Sequence, residues 1–225
     1  MSALQTLDRG ILALKVVADH PAGLSMTALA EALEVPRANV YRIVETLEGH
    51  ALVARTAAGK VVLGSGVLLL AARFEPRLRA AAQPLLHALA RETAATAFLT
   101  APQGEEAVAL MVAEPEGGVL SVGYRVGSRH PLTVGAAGLA ILAGRPERPD
   151  EPPEVRQARR DGYCLTQGQL QRGAVGVASP IHGPATAPGG FQGSVGVVAL
   201  EGMDTARAIS AVQACARRLA GVLGG

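Results

Sequence analysis

Apolar residues recur with helical spacing through the first third of the chain. Met26, Leu29, Ala30 and Leu33 fall at i, i+3, i+4 and i+7, and Val40, Ile43, Val44 and Leu47 repeat the pattern. Between the two runs lies Glu34-Val35-Pro36, a tight turn with proline suited to the first helical position. Ser25 is placed to cap the first of these helices, where a side-chain oxygen meets an otherwise unpaired backbone N–H. Leu52–Arg55 and Lys60–Leu63 bracket Thr56-Ala57-Ala58-Gly59, two short strands around a Gly-containing turn. An earlier helix is expected over Leu4–Asp19, ended near His20-Pro21-Ala22-Gly23. Helix, helix-turn-helix and hairpin together make a winged helix-turn-helix, a unit that places its second helix in the DNA major groove. The same spacing also suits a helical hairpin packing its own core.

Farther on, Val67–Ala72 reads as a linker helix closed by Phe74-Glu75-Pro76, more apolar than one packing face needs. The remainder has the pattern of a separate α+β domain. Helices are expected over Arg79–Thr93, Ala136–Ala143, Val155–Arg160 and Thr205–Leu223, the last capped by Asp204. Strands are expected over Ala97–Thr100, Ala107–Ala113, Val119–Tyr124, Ala174–Pro180 and Ser194–Leu200, with turn-rich loops at Pro146–Pro153 and His182–Gly190. Two strands carry near-duplicate cores, Val175-Gly176-Val177-Ala178 and Val195-Gly196-Val197-Val198. Alternation puts Val175, Val177, Val195 and Val197 on one face, and Ala174, Gly176, Ala178, Ser194, Gly196 and Val198 on the other. Glycine inside a strand marks a close approach, by a packed helix or by a ligand.

Composition narrows the chemistry. Aromatics are 3% of the 225 residues and Trp is absent, so the core must be aliphatic and alanine-rich. Two cysteines far apart, Cys164 and Cys215, with no CxxC, fit a reducing compartment. With neither a leader-like start nor a membrane-length apolar run, a cytoplasmic protein is expected. His20, His50, His87, His130 and His182 show no zinc-site spacing, so no metal or cofactor is expected. Ser179 and Ser194 lack a GxSxG setting, and no glycine patch forms a phosphate-binding loop; Gly117-Gly118 reads as a hairpin turn. No catalytic residue is assigned, and Cys164 reads as a buried structural thiol. The first 75 residues carry as many acids as bases, so charge alone gives no nucleic-acid footprint.

The run Arg37-Ala38-Asn39-Val40-Tyr41-Arg42-Ile43-Val44-Glu45-Thr46-Leu47-Glu48 resembles the recognition helix of the IclR family of bacterial transcriptional regulators. Leu4–Arg9 and Val61–Gly64 resemble that family's first helix and wing exit. Val126–Leu132 running into Ala136–Ala143, and Gly162-Tyr163-Cys164 continuing through Gly173–Ala178, resemble its effector-domain signature. The resemblance implies a winged helix-turn-helix over residues 1–64, a linker helix over 65–75, and a GAF-like or profilin-like effector-binding and oligomerisation domain over 76–225. It implies a homodimer, or dimer of dimers, on a near-palindromic operator in double-stranded DNA. The alternative is a sensor or oligomerisation module whose helix-turn-helix serves protein interaction.

Two sets of site residues follow. DNA contacts are expected from Arg37, Ala38, Asn39, Tyr41 and Arg42 on the recognition helix, with Ser25, Thr27, Arg55 and Lys60 on the backbone. A small organic effector is expected against Gly135, Ala136, Ala137, Gly138, Cys164, Thr166, Gly176, Ser194 and Gly196. Polar groups frequent in the family are replaced here at Thr166, Gly176, Gly196 and Val198; Leu139 stands for a frequent Lys and Thr133 for a frequent His. An apolar or aromatic ligand, or a vestigial pocket, is therefore expected. Ala51 stands where a helix-ending Gly is usual, with Gly49 expected to take over that role.

Overall fold

The computed structural model describes residues 4–73, 76–115, 123–182, 191–200 and 202–223. It divides into two compact units, Met1–Pro76 and Arg77–Gly225.

The first unit is three helices and a hairpin: α1 (Gln5–Ala18), α2 (Met26–Ala32), α3 (Arg37–Gly49), β1 (Val53–Arg55) and β2 (Val61–Leu63), followed by α4 (Gly66–Arg73). Ser25 Oγ accepts the Ala28 N–H at 3.1 Å, fixing the start of α2. Pro36 caps α3 from just outside it, and Glu34 turns the chain with φ 52°. Ala13, Val17, Met26, Leu29, Val40, Ile43, Val44 and Leu47 meet Val53 and Val61 in one aliphatic core. The wing strands pair antiparallel, Val53 opposite Leu63 and Arg55 opposite Val61. Leu24 bridges Val61, which ties the hairpin to the helices.

One expectation fails at the end of α3. Gly49 stays helical and His50 caps, while Ala51 itself takes the left-handed conformation at φ 54°. The chain reverses two residues later than the glycine could serve, so the reversal falls on a residue with a Cβ.

In the second unit the order is α5 (Pro76–Thr93), β3 (Thr96–Gln103), β4 (Glu106–Ala113), β5 (Arg129–Pro131), α6 (Gly135–Ala143), α7 (Pro153–Asp161), β6 (Cys164–Gln167), β7 (Ala174–His182), β8 (Gln192–Leu200) and α8 (Thr205–Leu223). Six antiparallel strands run β5-β4-β3-β8-β7-β6 across one sheet. Asp204 caps α8, its carboxylate accepting the Arg207 N–H at 3.0 Å. The strands β5 and β6 have no counterpart among the sequence expectations: one is three residues ending in proline, the other four residues, too short to show alternation. The strand expected over Val119–Tyr124 falls mostly outside the described residues, and Tyr124 itself lies in no strand. Gly117-Gly118, Phe74-Glu75 and residues 183–190 of the expected turn-rich loop also lie outside them.

The valine face of the sheet is covered by α5 and α8. Val177, Val195 and Val197 are fully buried against Leu86, Leu89, Val212 and Leu219. The small-residue face receives α6, eight of whose nine residues are buried, backed by Val155 and Ala158 of α7. Arg159 of α7 closes the far end of α6. Its guanidinium donates to the carbonyls of Ala143 (2.7 Å) and Arg145, and pairs with Glu151 at 2.8 Å. A cation on the exposed carbonyls of a helix C-terminus is favourable both as donor and as charge.

Candidate nucleic-acid interface and effector cavity

Helix α3 turns Val40, Ile43, Val44 and Leu47 inward and leaves Arg37, Ala38, Tyr41 and Arg42 exposed, with Asn39 half-buried. Arg37 lies 6.0 Å from the centroid of the Tyr41 ring and its guanidinium reaches the Tyr41 hydroxyl at 3.5 Å, so the first turn presents one stacked cationic group. Ser25 and Thr27 are exposed at the start of α2, although Ser25 Oγ is already engaged as the cap. On the wing, Lys60 is exposed. Arg55 is not free: its Nε sits 3.0 Å from Glu48 Oε2 on α3. Such an exposed pair is weak, and a phosphate could replace the carboxylate as partner. Beside α3, α1 leaves an apolar groove of about 700 Å³ lined by Leu4, Leu7, Ile11, Ile43 and Leu47, with Arg42 at its margin.

A cavity of about 260 Å³ opens on the small-residue face of the second unit. Of the nine positions expected there, Ala136, Ala137, Thr166 and Gly176 line it. The other five do not, each for a visible reason. Gly196 is filled by the aromatic opposite: a Cβ there would stand 2.6 Å from Phe98 Cζ and 2.4 Å from the Val177 carbonyl oxygen. Gly138 backs onto Leu132, whose carbonyl oxygen would be 2.5 Å from a Cβ. Ser194 is fully buried and tied on both sides, 2.6 Å from Thr100 Oγ1 and donating to the Ala137 carbonyl at 3.0 Å. Cys164 pairs with Ala178 on β7 and packs beneath α6 and α7. Burial, and secondarily the Glu154 charge, push its thiol up to about 11, so it is a protonated and inert sulfhydryl. Gly135 is covered by Leu170.

The remaining walls come from residues not assigned to the site from the sequence, although Arg129 and His130 lie in the run that resembles the effector-domain signature. Phe98 and Tyr124 stand with ring centroids 5.0 Å apart, and the Tyr124 hydroxyl is 3.5 Å from His130 Nε2. Burial pushes the Tyr124 phenol up to about 12, so the hydroxyl stays neutral and able to donate. Gln169, Leu170 and Gln171 contribute the wall from the β6–β7 connection, and Arg129 stands at the edge, its guanidinium 2.6 Å from Glu106. A lining that mixes alanines and two aromatic rings with a phenol, an imidazole, hydroxyls, amides and a guanidinium suits a small ligand with polar atoms on an apolar body. Among the described residues no cluster of three or more His, Cys, Asp or Glu side chains could hold a metal. No described helix is long and apolar enough to cross a membrane.

Comparison with known proteins places these two units in context. Residues 6–57 match the IclR helix-turn-helix domain. The chain is 31% identical over 147 residues to the HTH-type transcriptional regulator TtgV of Pseudomonas putida, covering 64% of this chain and 56% of that regulator. It is 33% identical over 157 residues to the HTH-type transcriptional regulator Rv1719 of Mycobacterium tuberculosis, covering 69% and 58%. The alignments thus span little more than half the length of these relatives. Among solved structures, an IclR transcriptional regulator from Alicyclobacillus acidocaldarius superimposes over the full length of both chains with a TM-score of 0.77 at 22% identity. An IclR homologue from Microbacterium hydrocarbonoxydans, solved in complex with 4-hydroxybenzoate, covers 97% of this chain and 98% of its own, with a TM-score of 0.79 at 20% identity.

Proposed function

Because the chain belongs to the IclR family, we propose that it is a DNA-binding transcriptional regulator whose second unit takes a small organic effector. The observation that carries the first half is α3 itself, which buries one apolar stripe and exposes Arg37, Ala38, Tyr41 and Arg42 on the opposite side. The first turn of such a helix enters the major groove. Arg37 and Arg42 are the principal contacts, and Thr27, Lys60 and Arg55 hold the backbone, the last by exchanging Glu48 for a phosphate.

Support for a homodimer comes from the first unit's surface. Leu68, Leu69 and Leu70 of α4 are 65–72% exposed, and Leu4 and Leu7 of α1 are 75% and 61% exposed. Patches of this kind are rare on monomers. A twofold dimer reads an operator with matching near-palindromic half-sites.

The 260 Å³ cavity is the effector site. Its aromatic pair and its polar side chains suit a small aromatic molecule bearing a carboxylate or carbonyl, and 4-hydroxybenzoate, present in the homologue's structure, is a ligand of that class. Repression or activation follows from which dimer geometry the ligand favours.

Genomic fragments captured by the full chain, then titrated in mobility-shift assays, test this reading. Arg42→Ala is expected to weaken operator binding and, where it meets a phosphate, to lower the salt slope by about one. Unchanged affinity and slope in both Arg37→Ala and Arg42→Ala, with folding intact, would exclude α3 as the recognition helix.

A further inference from the structure

The connection from β6 to β7, residues 168–173, is bounded by two left-handed glycines, Gly168 at φ +65° and Gly173 at φ +78°. Its middle residues form one wall of the cavity. Both Gln169 and Leu170 converge on the first residue of α6. Gln169 Oε1 accepts the Gly135 N–H at 2.8 Å, from a position 34 residues away in sequence. Leu170 lies across the same residue, its Cδ1 only 2.6 Å from where a Gly135 Cβ would stand. Leu170 nevertheless remains 50% exposed. Val134, the residue that should cap α6, gives no side-chain hydrogen bond.

The first N–H groups of a helix have no partner within it, and the helix dipole favours an acceptor carrying negative charge there. A neutral carboxamide is the weaker kind of acceptor; hydrogen bonds to an ionised oxygen are roughly twice as strong. Ala136 and Ala137, the next two residues of that first turn, face the cavity, and the Phe98–Tyr124 aromatic pair lines it as well.

We propose that Gln169 is a built-in competitor: in the empty cavity its carboxamide oxygen holds the position of the effector's acceptor oxygen, and an aromatic carboxylate takes the Gly135 N–H by displacing the Gln169–Leu170 strap. This rests on the cavity being the effector site. It makes the site selective by exchange. An anion outbids the amide at the helix end, whereas a neutral alcohol does not. It also makes the strap the first element to move on binding, because Gln169 and Leu170 are released together.

The test uses the full chain as wild type, Gln169→Ala and Gln169→Glu, titrated calorimetrically with benzoate, phenylacetate and benzyl alcohol. Amide hydrogen exchange of Gly135 and residues 168–173 is followed in the ligand-free protein. Removing the competitor is expected to tighten both carboxylates about tenfold in Gln169→Ala, ~1.4 kcal/mol, and to speed exchange at Gly135. Gln169→Glu places a fixed carboxylate on the same N–H and is expected to weaken both carboxylates at neutral pH. Carboxylate binding that is equal or weaker in Gln169→Ala, while wild type binds, overturns the competitor and leaves the cavity reading standing. Absence of carboxylate binding in all three chains overturns both.

Discussion

The duplicated strand cores pose a sharp test, because Gly176 and Gly196 look equivalent in sequence and are not in space. At Gly196 an added Cβ would lie 2.4 Å from the Val177 carbonyl oxygen and 2.6 Å from Phe98 Cζ, well inside normal contact with a backbone atom and a buried ring. Neither neighbour has room to retreat. Phe98 is 4% exposed and packs on Tyr124, and Val177 is fully buried. Overpacking of this kind costs about 2–3 kcal/mol, and for a chain of this size each kcal/mol lowers the melting temperature by about 2–4 °C. Gly196→Ala is therefore expected to melt roughly 4–12 °C lower. At Gly176 the same Cβ meets Ala136 Cβ and Thr166 Oγ1 at 3.4 Å, ordinary contact at a cavity wall. There the loss of backbone freedom in the unfolded chain favours alanine by about 0.4–1 kcal/mol, and Gly176→Ala is expected to match or exceed wild type. Gly176→Leu then directs its side chain into the cavity, and is expected to fold, bind operator and ignore effector. Thermal unfolding followed by circular dichroism, with urea titration as a second measure, reads all three. A tolerated Gly196→Ala alongside a severely destabilised Gly176→Ala would refute the assignment of filled and open space.

Three other perturbations follow from the same geometry. Ala51→Gly removes the left-handed strain after α3 and is expected to stabilise the first unit by roughly 0.5–1 kcal/mol, read as slower amide exchange across α3; unchanged or faster exchange would mean that φ 54° is not strained. Burial pushes both Cys164 and Cys215 up to about 11 from 9, which cuts the thiolate fraction at pH 8 roughly 100-fold; iodoacetamide is expected to label neither in the native protein and both in urea, and rapid native labelling would contradict that burial. The hydrogen bond from Arg159 is the main reason the Glu151 carboxyl lies below its ordinary value near 4.5. A group held low in the folded state stabilises above its unfolded value, and loses that contribution as pH falls through the folded one. Urea midpoints between pH 6 and 3 should therefore fall less steeply in Glu151→Gln than in wild type, and identical slopes would dismiss the pair as a source of acid sensitivity.

The helix-turn-helix was legible because its signals are local: periodicity over Met26–Leu47, a cap at Ser25 and a glycine turn at Gly59 need no distant partner. The alternation on β7 and β8 was equally local, and the two faces separate as expected. What it could not reveal was which small residues stay uncovered. That depends on Phe98 falling opposite Gly196 in the β3–β8 register, a pairing 98 positions apart. Tyr124, His130 and Gln169 escaped for the same reason, since they meet only once the sheet order brings β5, β3 and β6 around α6. Ala51 shows the converse failure, in which a local rule about glycine was right for the site but named the wrong residue.

The two faces of that sheet also differ in how freely they can change over generations. Val177, Val195 and Val197 interlock with α5 and α8, and a substitution there is felt throughout the core. Positions such as Gly176, Thr166 and Ala174 border empty volume instead. A lineage can exchange side chains at those positions and acquire a new chemical appetite while its thermal stability passes on unaltered. Those three positions are accordingly the place to begin in fitting the cavity to a molecule of choice.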